Sequence, residues 1–232
     1  MRYYPIFLDI KDKPCVVIGG GNVAERKVIS LLDAGARVVV ISPVLTPALK
    51  KLAREKTINY CPKSYEEGDL KGFFLAYSAT DNSSVNRKVF NEAKREGILL
   101  NVVDVPKLCN FIVPSVVDRG DLLIAISTSG KSPAMAKKIR QRLEKEFGRE
   151  YAVFLDIMGK VREKVLTLDR QNVCQGLTRS KESDTNKRMF EKLVNSPLLE
   201  WIKKGEKEKV DRFLKEALKE TGRGKRSGLE YK

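Results

Sequence analysis

Gly19-Gly20-Gly21-Asn22-Val23-Ala24 fits the pattern G-x-G-x-x-A, directly after an apolar run and at the start of a predicted helix. Glycines in that place let the backbone turn sharply and approach a pyrophosphate, whose charge is held by amides at the helix N-terminus. Gly19, Gly21, Asn22 and Val23 are therefore candidate cofactor-binding residues, the alternative being a tight turn without a ligand. The fingerprint also expects an acidic residue about 20 positions on, at the end of the second strand, for the ribose hydroxyls. Ser42-Pro43-Val44 stands there instead, with no arginine just after it to favour a 2'-phosphate. A serine hydroxyl and backbone groups can serve the ribose, and charge leaves NAD and NADP both open.

Acid-base chemistry has few candidates, because the chain contains no histidine. Proton transfer falls to Asp, Glu, Lys, Tyr or Cys. Asp104 follows the fifth predicted strand, on the carboxyl edge where open α/β sheets bind ligands, and is the first candidate for a catalytic group. Its alternative role is to cap the turn that Val105-Pro106 holds extended. Ser127, Thr128, Ser129, Lys131 and Ser132 form a hydroxyl-rich turn before a basic helix, able to hold anionic groups through side chains and helix-start amides. Arg26 and Lys27 in the first helix can neutralise phosphate or sit on the surface. Four widely spaced cysteines, Cys15, Cys61, Cys109 and Cys174, argue for reduced, mostly buried thiols and against a zinc site or disulfide framework. No metal cage can be drawn from the Asp and Glu spacing.

These residues must be positioned by alternating strands and helices. The pattern predicts strands at Cys15–Ile18, Arg37–Ile41, Ile58–Cys61, Phe73–Ser78 and Ile98–Val103. Between them it predicts helices at Ala24–Ala34, from Thr46-Pro47 to about Lys56, and at Ser83–Glu96 closed by Gly97, with Asp81 as the cap of the last. The fold class is α/β: a Rossmann-like, doubly wound parallel sheet over residues 1–113, followed by a small segment and a C-terminal helical domain. Residues 114–148 read as strand, tight turn, strand and a basic helix, Ala134–Phe147. This beta unit is one that can pair with its copy in a second subunit. Helices at Tyr151–Leu168, Asp184–Val194, Pro197–Lys203 and Glu206–Glu220 make residues 149–220 a helical domain, and 221–232 reads as a basic, frayed tail.

Composition narrows the classes. Of 232 residues 42% are hydrophobic, which excludes disorder as the main state. No run reaches the roughly 18 apolar residues of a membrane helix, and the N-terminus lacks the stretch of a signal peptide, so a cytoplasmic location is expected. The net charge of +15 falls mostly in the second half and suits a polyanion, either nucleic acid or a small polycarboxylate.

Several motifs in order resemble one family. The run Pro5-Ile-Phe-Leu-Asp-Ile, Val17-Ile-Gly-Gly-Gly-Asn-Val-Ala-Glu-Arg-Lys27, Ala34-Gly-Ala-Arg-Val-Val-Val-Ile-Ser-Pro43, Ala79-Thr-Asp-Asn82, Asn101-Val-Val-Asp104, Cys109-Asn-Phe-Ile-Val-Pro114 and Ile126-Ser-Thr-Ser-Gly-Lys-Ser-Pro133 is similar to the precorrin-2 dehydrogenases of siroheme synthesis. These stand alone or form the N-terminal half of siroheme synthase. The match is close from residue 5 to about 150 and loose in the helical remainder. The resemblance implies oxidation of precorrin-2 to sirohydrochlorin with NAD as hydride acceptor, and in some members insertion of ferrous iron. It implies a homodimer held by the middle segment, with the active site opening between the three parts. It places the catalytic acid at Asp104, the pyrophosphate against Asn22 and Val23, the adenosine ribose near Ser42 to Val44 and the nicotinamide side near Thr80. The substrate's carboxylates would meet the 127–132 turn and Arg119, Lys131, Lys137, Lys138 and Arg140. No methyltransferase half is expected. The competing class is a nucleotide-binding redox sensor that contacts nucleic acid through its basic helices without turnover.

Overall fold

The computed structural model describes residues 3–173 and 180–220, with side chains over 3–167 and 186–217. Cys174 and the predicted tail, 221–232, lie outside the described residues. The chain divides into two compact units, the described parts of Met1–Val113 with Ser129–Lys131, and of Pro114–Thr128 with Ser132–Lys232.

The first unit is built on five parallel strands, β1 Pro14–Ile18, β2 Arg37–Ile41, β3 Asn59–Cys61, β4 Leu75–Ser78 and β5 Leu99–Val102, in the order β3-β2-β1-β4-β5. The chain moves outward from β1 to β3, then returns to lay β4 on the other side of β1. That reversal makes a switch point at the carboxyl ends of β1 and β4, the place where doubly wound sheets open a crevice for ligands. β1 is central and buried on both faces. Val16 and Ile18 pack in the same layer as Ala76, Val89, Ala93, Leu100 and Val102, whereas Cys15 and Val17 pack with Val28, Leu31, Val38, Val40 and Leu49. The alternation follows from the two-residue repeat of a strand. Helices α1 Asn22–Asp33 and α2 Pro47–Arg54 feed the second layer, and α3 Ser83–Glu96 feeds the first. Each fully buried valine or leucine contributes about 1.5–3 kcal/mol.

Local signals explain most element ends. Thr46 caps α2 by accepting a hydrogen bond from Leu49 N, with Pro47 at its first position. Gly97 closes α3 in the left-handed conformation. The cap of α3 corrects the sequence reading: Asn82, not Asp81, accepts from Ser84 N and Val85 N. The fourth strand begins at Leu75, not at the expected Phe73: the Phe73 amide closes a turn on Leu70, and Phe74 N donates to Pro14 O. Among the described cysteines Cys15 is buried, while Cys61 and Cys109 are half-buried.

The second unit begins with a hairpin, β6 Ser115–Arg119 and β7 Leu122–Ile126, antiparallel and joined through Gly120 and Asp121. Gly120 has φ +69, and its amide donates to Asp118 Oδ1. Helix α4 follows at Pro133–Glu146, capped by Ser132, which accepts from Met135 N. Arg119 closes the far end: its guanidinium donates to Phe147 O at 2.7 Å and Glu144 O at 3.0 Å, satisfying carbonyls that a helix C-terminus leaves open. Helices α5 Glu150–Val173, α6 Ser180–Val194, α7 Leu198–Lys204 and α8 Lys207–Glu220 complete the unit. Their core contains Phe154, Ile157, Val161, Leu193, Leu198, Val210 and Leu214. The backbone of α5 runs past Leu168 to Val173.

Candidate functional site

The glycine loop closes the carboxyl end of β1, and its three glycines have three different reasons. Gly19 has φ +112 and donates to Ile41 O; a Cβ on it would lie 2.3 Å from Ala79 O. Gly20 lies under the loop that follows β2, where a Cβ would come 2.0 Å from Val44 O and 2.9 Å from Ser42 Oγ, while its own carbonyl accepts from Thr46 N. Gly21 is the N-cap of α1, with no side-chain cap and nothing within 4 Å of a built Cβ. The start of α1 is thus left without a side-chain cap beside an open space at a switch point. That space suits a pyrophosphate, because uncapped amides and the helix dipole favour an anion there. Asn22 is exposed and Val23 half-buried on the same first turn.

The loop after β2 forms one wall. Ser42 is buried, and its hydroxyl donates to Val44 O at 2.8 Å, so it shapes the loop rather than presenting a free hydroxyl. Pro43 and Val44 are exposed, and Pro43 O accepts from the Tyr60 hydroxyl. On the other side of the switch, Thr80 follows β4. Its carbonyl accepts from Asn86 Nδ2 at 3.1 Å, and Asn86 Oδ1 accepts from Ser78 at 2.6 Å, so α3 pins the strand end from within.

Asp104 stands exposed just beyond β5, with φ +59. Aspartate and asparagine tolerate this left-handed conformation better than most residues. The N-cap of the 3-10 turn after it, Pro106–Leu108, is Val105, which gives it no side-chain cap. The segment that carries it is held from behind. Cys109 Sγ contacts both the amide and the carbonyl of Val102, and Asn110 accepts from Leu100 N at 2.7 Å and donates to Ile98 O at 2.8 Å. Burial pushes the Cys109 thiol up, against a smaller downward effect of its bond with the Val102 backbone.

Lys27, on α1, is half-buried with its Nζ 5.1 Å from the centroid of the Tyr77 ring. Burial lowers its pKa first and Arg26 lowers it further, while the negative charge of Asp104 raises it. Tyr77 is itself buried, edge-on to Phe111 at 5.8 Å, and burial pushes its phenol up to about 12.

The first unit therefore brings Gly19, Gly21, Asn22, Val23, Ser42, Pro43, Val44, Thr80 and Asp104 to one carboxyl edge of one sheet. Ser127, Thr128 and Ser132 lie in the second unit, where Thr128 Oγ1 accepts from Ser132 N at 3.1 Å. Ser129, at φ +54, and the exposed Lys131 group with the first. Two of the basic residues offered for anionic groups are already engaged: Arg119 by α4 carbonyls and Arg140 by Glu144. Sequence reasoning missed Gly20 and Tyr77. The triple glycine carried the signal for the first, whereas Tyr77 looked like any strand residue. Among the described residues no three Cys, Asp or Glu side chains gather as a metal-binding group, and no helix is long and apolar enough to cross a membrane.

Residues 6–115 match the family described as putative NAD(P)-binding, and residues 119–146 the one described as sirohaem biosynthesis protein central. A siroheme synthase of Ruthia magnifica subsp. Calyptogena magnifica is 45% identical over 165 residues, 71% of this chain and 35% of that protein. One of Methylococcus capsulatus is 37% identical over 226 residues, 97% of this chain and 45% of that protein. The chain thus spans less than half the length of these curated relatives. A solved structure titled SirC, precorrin-2 dehydrogenase, aligns with a TM-score of 0.69 at 24% identity, covering 87% of this chain and all of the other, and shares its fold.

Proposed function

We propose, from the NAD(P)-binding match over residues 6–115, the sirohaem biosynthesis central match over residues 119–146 and the likeness to siroheme synthases, that the chain is an NAD-dependent precorrin-2 dehydrogenase. The observation that carries the reading is the placement of an open glycine cradle and an exposed aspartate on one carboxyl edge of the first unit. Precorrin-2 loses a hydride and a proton in becoming sirohydrochlorin. When bound, NAD supplies the hydride acceptor. Gly19 and Gly21 let the backbone approach the pyrophosphate, Asn22 and Val23 present the first turn of α1 to it, and Gly20 keeps the loop flat against Val44. Pro43 and Val44 offer an exposed surface to the adenosine ribose, shaped by Ser42, and Thr80 stands toward the nicotinamide side.

Asp104 receives the proton at its carboxylate, a role that suits an exposed acid in a chain without histidine. Ser127, Thr128, Ser129, Lys131 and Ser132 hold carboxylates of the substrate, with Lys137 and Lys138 as further cations. Residues 114–148 serve as the dimerisation segment of a homodimeric, cytoplasmic enzyme. Where ferrous iron enters as a second substrate, the same aspartate takes up pyrrole protons and the macrocycle supplies the ligands.

The test is anaerobic incubation with precorrin-2 and either NAD or NADP, followed by absorbance of the reduced nucleotide and of sirohydrochlorin. Equal formation of both supports the reading. Binding of NAD with no oxidation would assign the glycine loop to sensing instead. Addition of ferrous iron, against a protein-free control, reads the chelatase.

A further inference from the structure

We propose that Glu25 selects NAD over NADP: held by Thr46 at the loop after β2, its carboxylate puts there the negative charge that the loop itself lacks. The inference rests on the reading of the glycine loop as the dinucleotide site and goes beyond it to the choice between the two nucleotides.

A 2'-phosphate is what separates NADP from NAD. Dinucleotide-binding sheets meet that part of the cofactor at the end of the second strand, where a carboxylate holds the ribose hydroxyls of NAD or an arginine accommodates the phosphate of NADP. Here residues 38–49 contain no charged side chain. Ser42, at the expected place, is buried and donates its hydroxyl to Val44 O. Nothing from Val38 to Leu49 can attract or repel a 2'-phosphate by its own side-chain charge.

One residue brings a charge to that loop from another helix. Thr46 N donates to Gly20 O at 2.9 Å, and Thr46 Oγ1 accepts from Leu49 N at 3.3 Å. The same hydroxyl donates to Glu25 Oε2 at 2.6 Å, across 21 positions of the chain. Thr46 thus joins the glycine loop, the start of α2 and the first turn of α1. A hydrogen bond to a carboxylate is of the stronger, charge-assisted kind, and it restrains a side chain that otherwise swings freely.

The charge so placed is not cancelled. Among the described residues Glu25 makes no ion pair, and it is half-buried, where a charge is screened less than at the open surface. Lys27, two residues on, reaches the other way, with Nζ over the Tyr77 ring of β4, across β1 from β2. A ribose hydroxyl finds an acceptor at this carboxylate, whereas a 2'-phosphate finds a like charge. An acid in the first turn of α1 also suits the helix dipole, but the bond to Thr46 is what ties it to the loop after β2.

The test is equilibrium binding of NAD and of NADP, followed by calorimetry without substrate. The wild type should bind NAD at least about tenfold more tightly, and the margin should narrow as salt is raised. Glu25→Gln keeps an acceptor for the Thr46 hydroxyl and removes the charge. It should strengthen NADP binding about tenfold while NAD binding stays within about threefold, since the pyrophosphate is common to both nucleotides. Thr46→Val should lose part of the preference and Thr46→Ser should keep it. In the Glu25→Gln background, Thr46→Val should leave the NAD to NADP ratio where it was, because the charge that it positions is gone. Thermal melts beside the titrations separate the readings: a carboxylate serving only the helix dipole would lower the melting temperature on replacement and leave the ratio alone, which would overturn the proposal. Equal binding of both nucleotides by the wild type would overturn it as well. Binding of neither would remove the dinucleotide reading of the glycine loop, and the proposal with it.

Discussion

The carbonyl oxygen of Val44 occupies the place that a side chain at Gly20 would need: a Cβ there would come within 2.0 Å of it, whereas one on the adjacent Gly21 meets nothing within 4 Å. Two neighbouring glycines therefore stand in different surroundings: Gly20 is required by the packing of the loop after β2, whereas Gly21 faces open space, which the proposed function gives to the cofactor.

Substitution separates the two. Gly20→Ala forces the loop after β2 to move and should destabilise the fold by about 1–3 kcal/mol. Gly21→Ala should leave the melting temperature unchanged while weakening NAD binding about tenfold or more, because its methyl enters the space assigned to the pyrophosphate. Thermal melts beside nucleotide titrations check both. Equal loss of stability in the two variants would remove Gly21 from the binding role.

Asp104→Asn keeps a residue at ease at φ +59 and should retain wild-type stability, whereas Asp104→Ala should lose about 1 kcal/mol. Turnover should fall by about 10²–10⁴ in both, with NAD binding intact. Steady-state rates alongside urea midpoints distinguish the chemical role of the carboxylate from its conformational one.

Glu92 is buried on α3 and accepts two hydrogen bonds, from the Tyr65 hydroxyl and from Leu70 N at 2.8 Å. Glu92→Ala leaves both donors without their acceptor and should cost about 2–4 kcal/mol. Glu92→Gln keeps an acceptor and should cost less. Urea denaturation at neutral pH measures the difference.

Alkaline pH should unfold the protein early. Cys15 is completely buried, and burial pushes its thiol from the ordinary 9.0 up to about 11. Between those values the unfolded chain releases a proton that the folded chain retains, so stability falls as pH rises from 9 and the loss levels off above 11. The contribution is on the order of 2–3 kcal/mol, and Tyr77 adds to it above pH 10. Urea midpoints at pH 8 and pH 10.5 should differ less in Cys15→Ala than in the wild type.

What the sequence made readable was whatever depends on local pattern. Ser83 to Glu96 and its Gly97 terminator were legible because helical spacing and a glycine stop are written in adjacent residues. The Cys15-Val16-Val17-Ile18 run announced a central strand because it lacks polar alternation. Partners distant in the chain were not legible. Nothing around Arg119 says that Phe147 and Glu144 lie 28 and 25 residues on along its reach. Likewise the role of Gly20 depends on Val44, and that of Glu25 on a hydroxyl from another helix cap. Asn82 and Asp81 are equivalent caps by residue type, and only backbone geometry chose between them.

The bonds that Cys109 and Asn110 make along β5 have a consequence for how the molecule meets its own kind. An exposed strand offers its unpaired amides and carbonyls as a template on which a foreign strand can be added. Here Ile98 O, Leu100 N, Leu100 O, Val102 N and Val102 O are already occupied by those two residues. The opposite border, β3, is only three residues long. Sheet extension is thereby blocked at one flank and curtailed at the other, a built-in defence of the parallel sheet against aggregation.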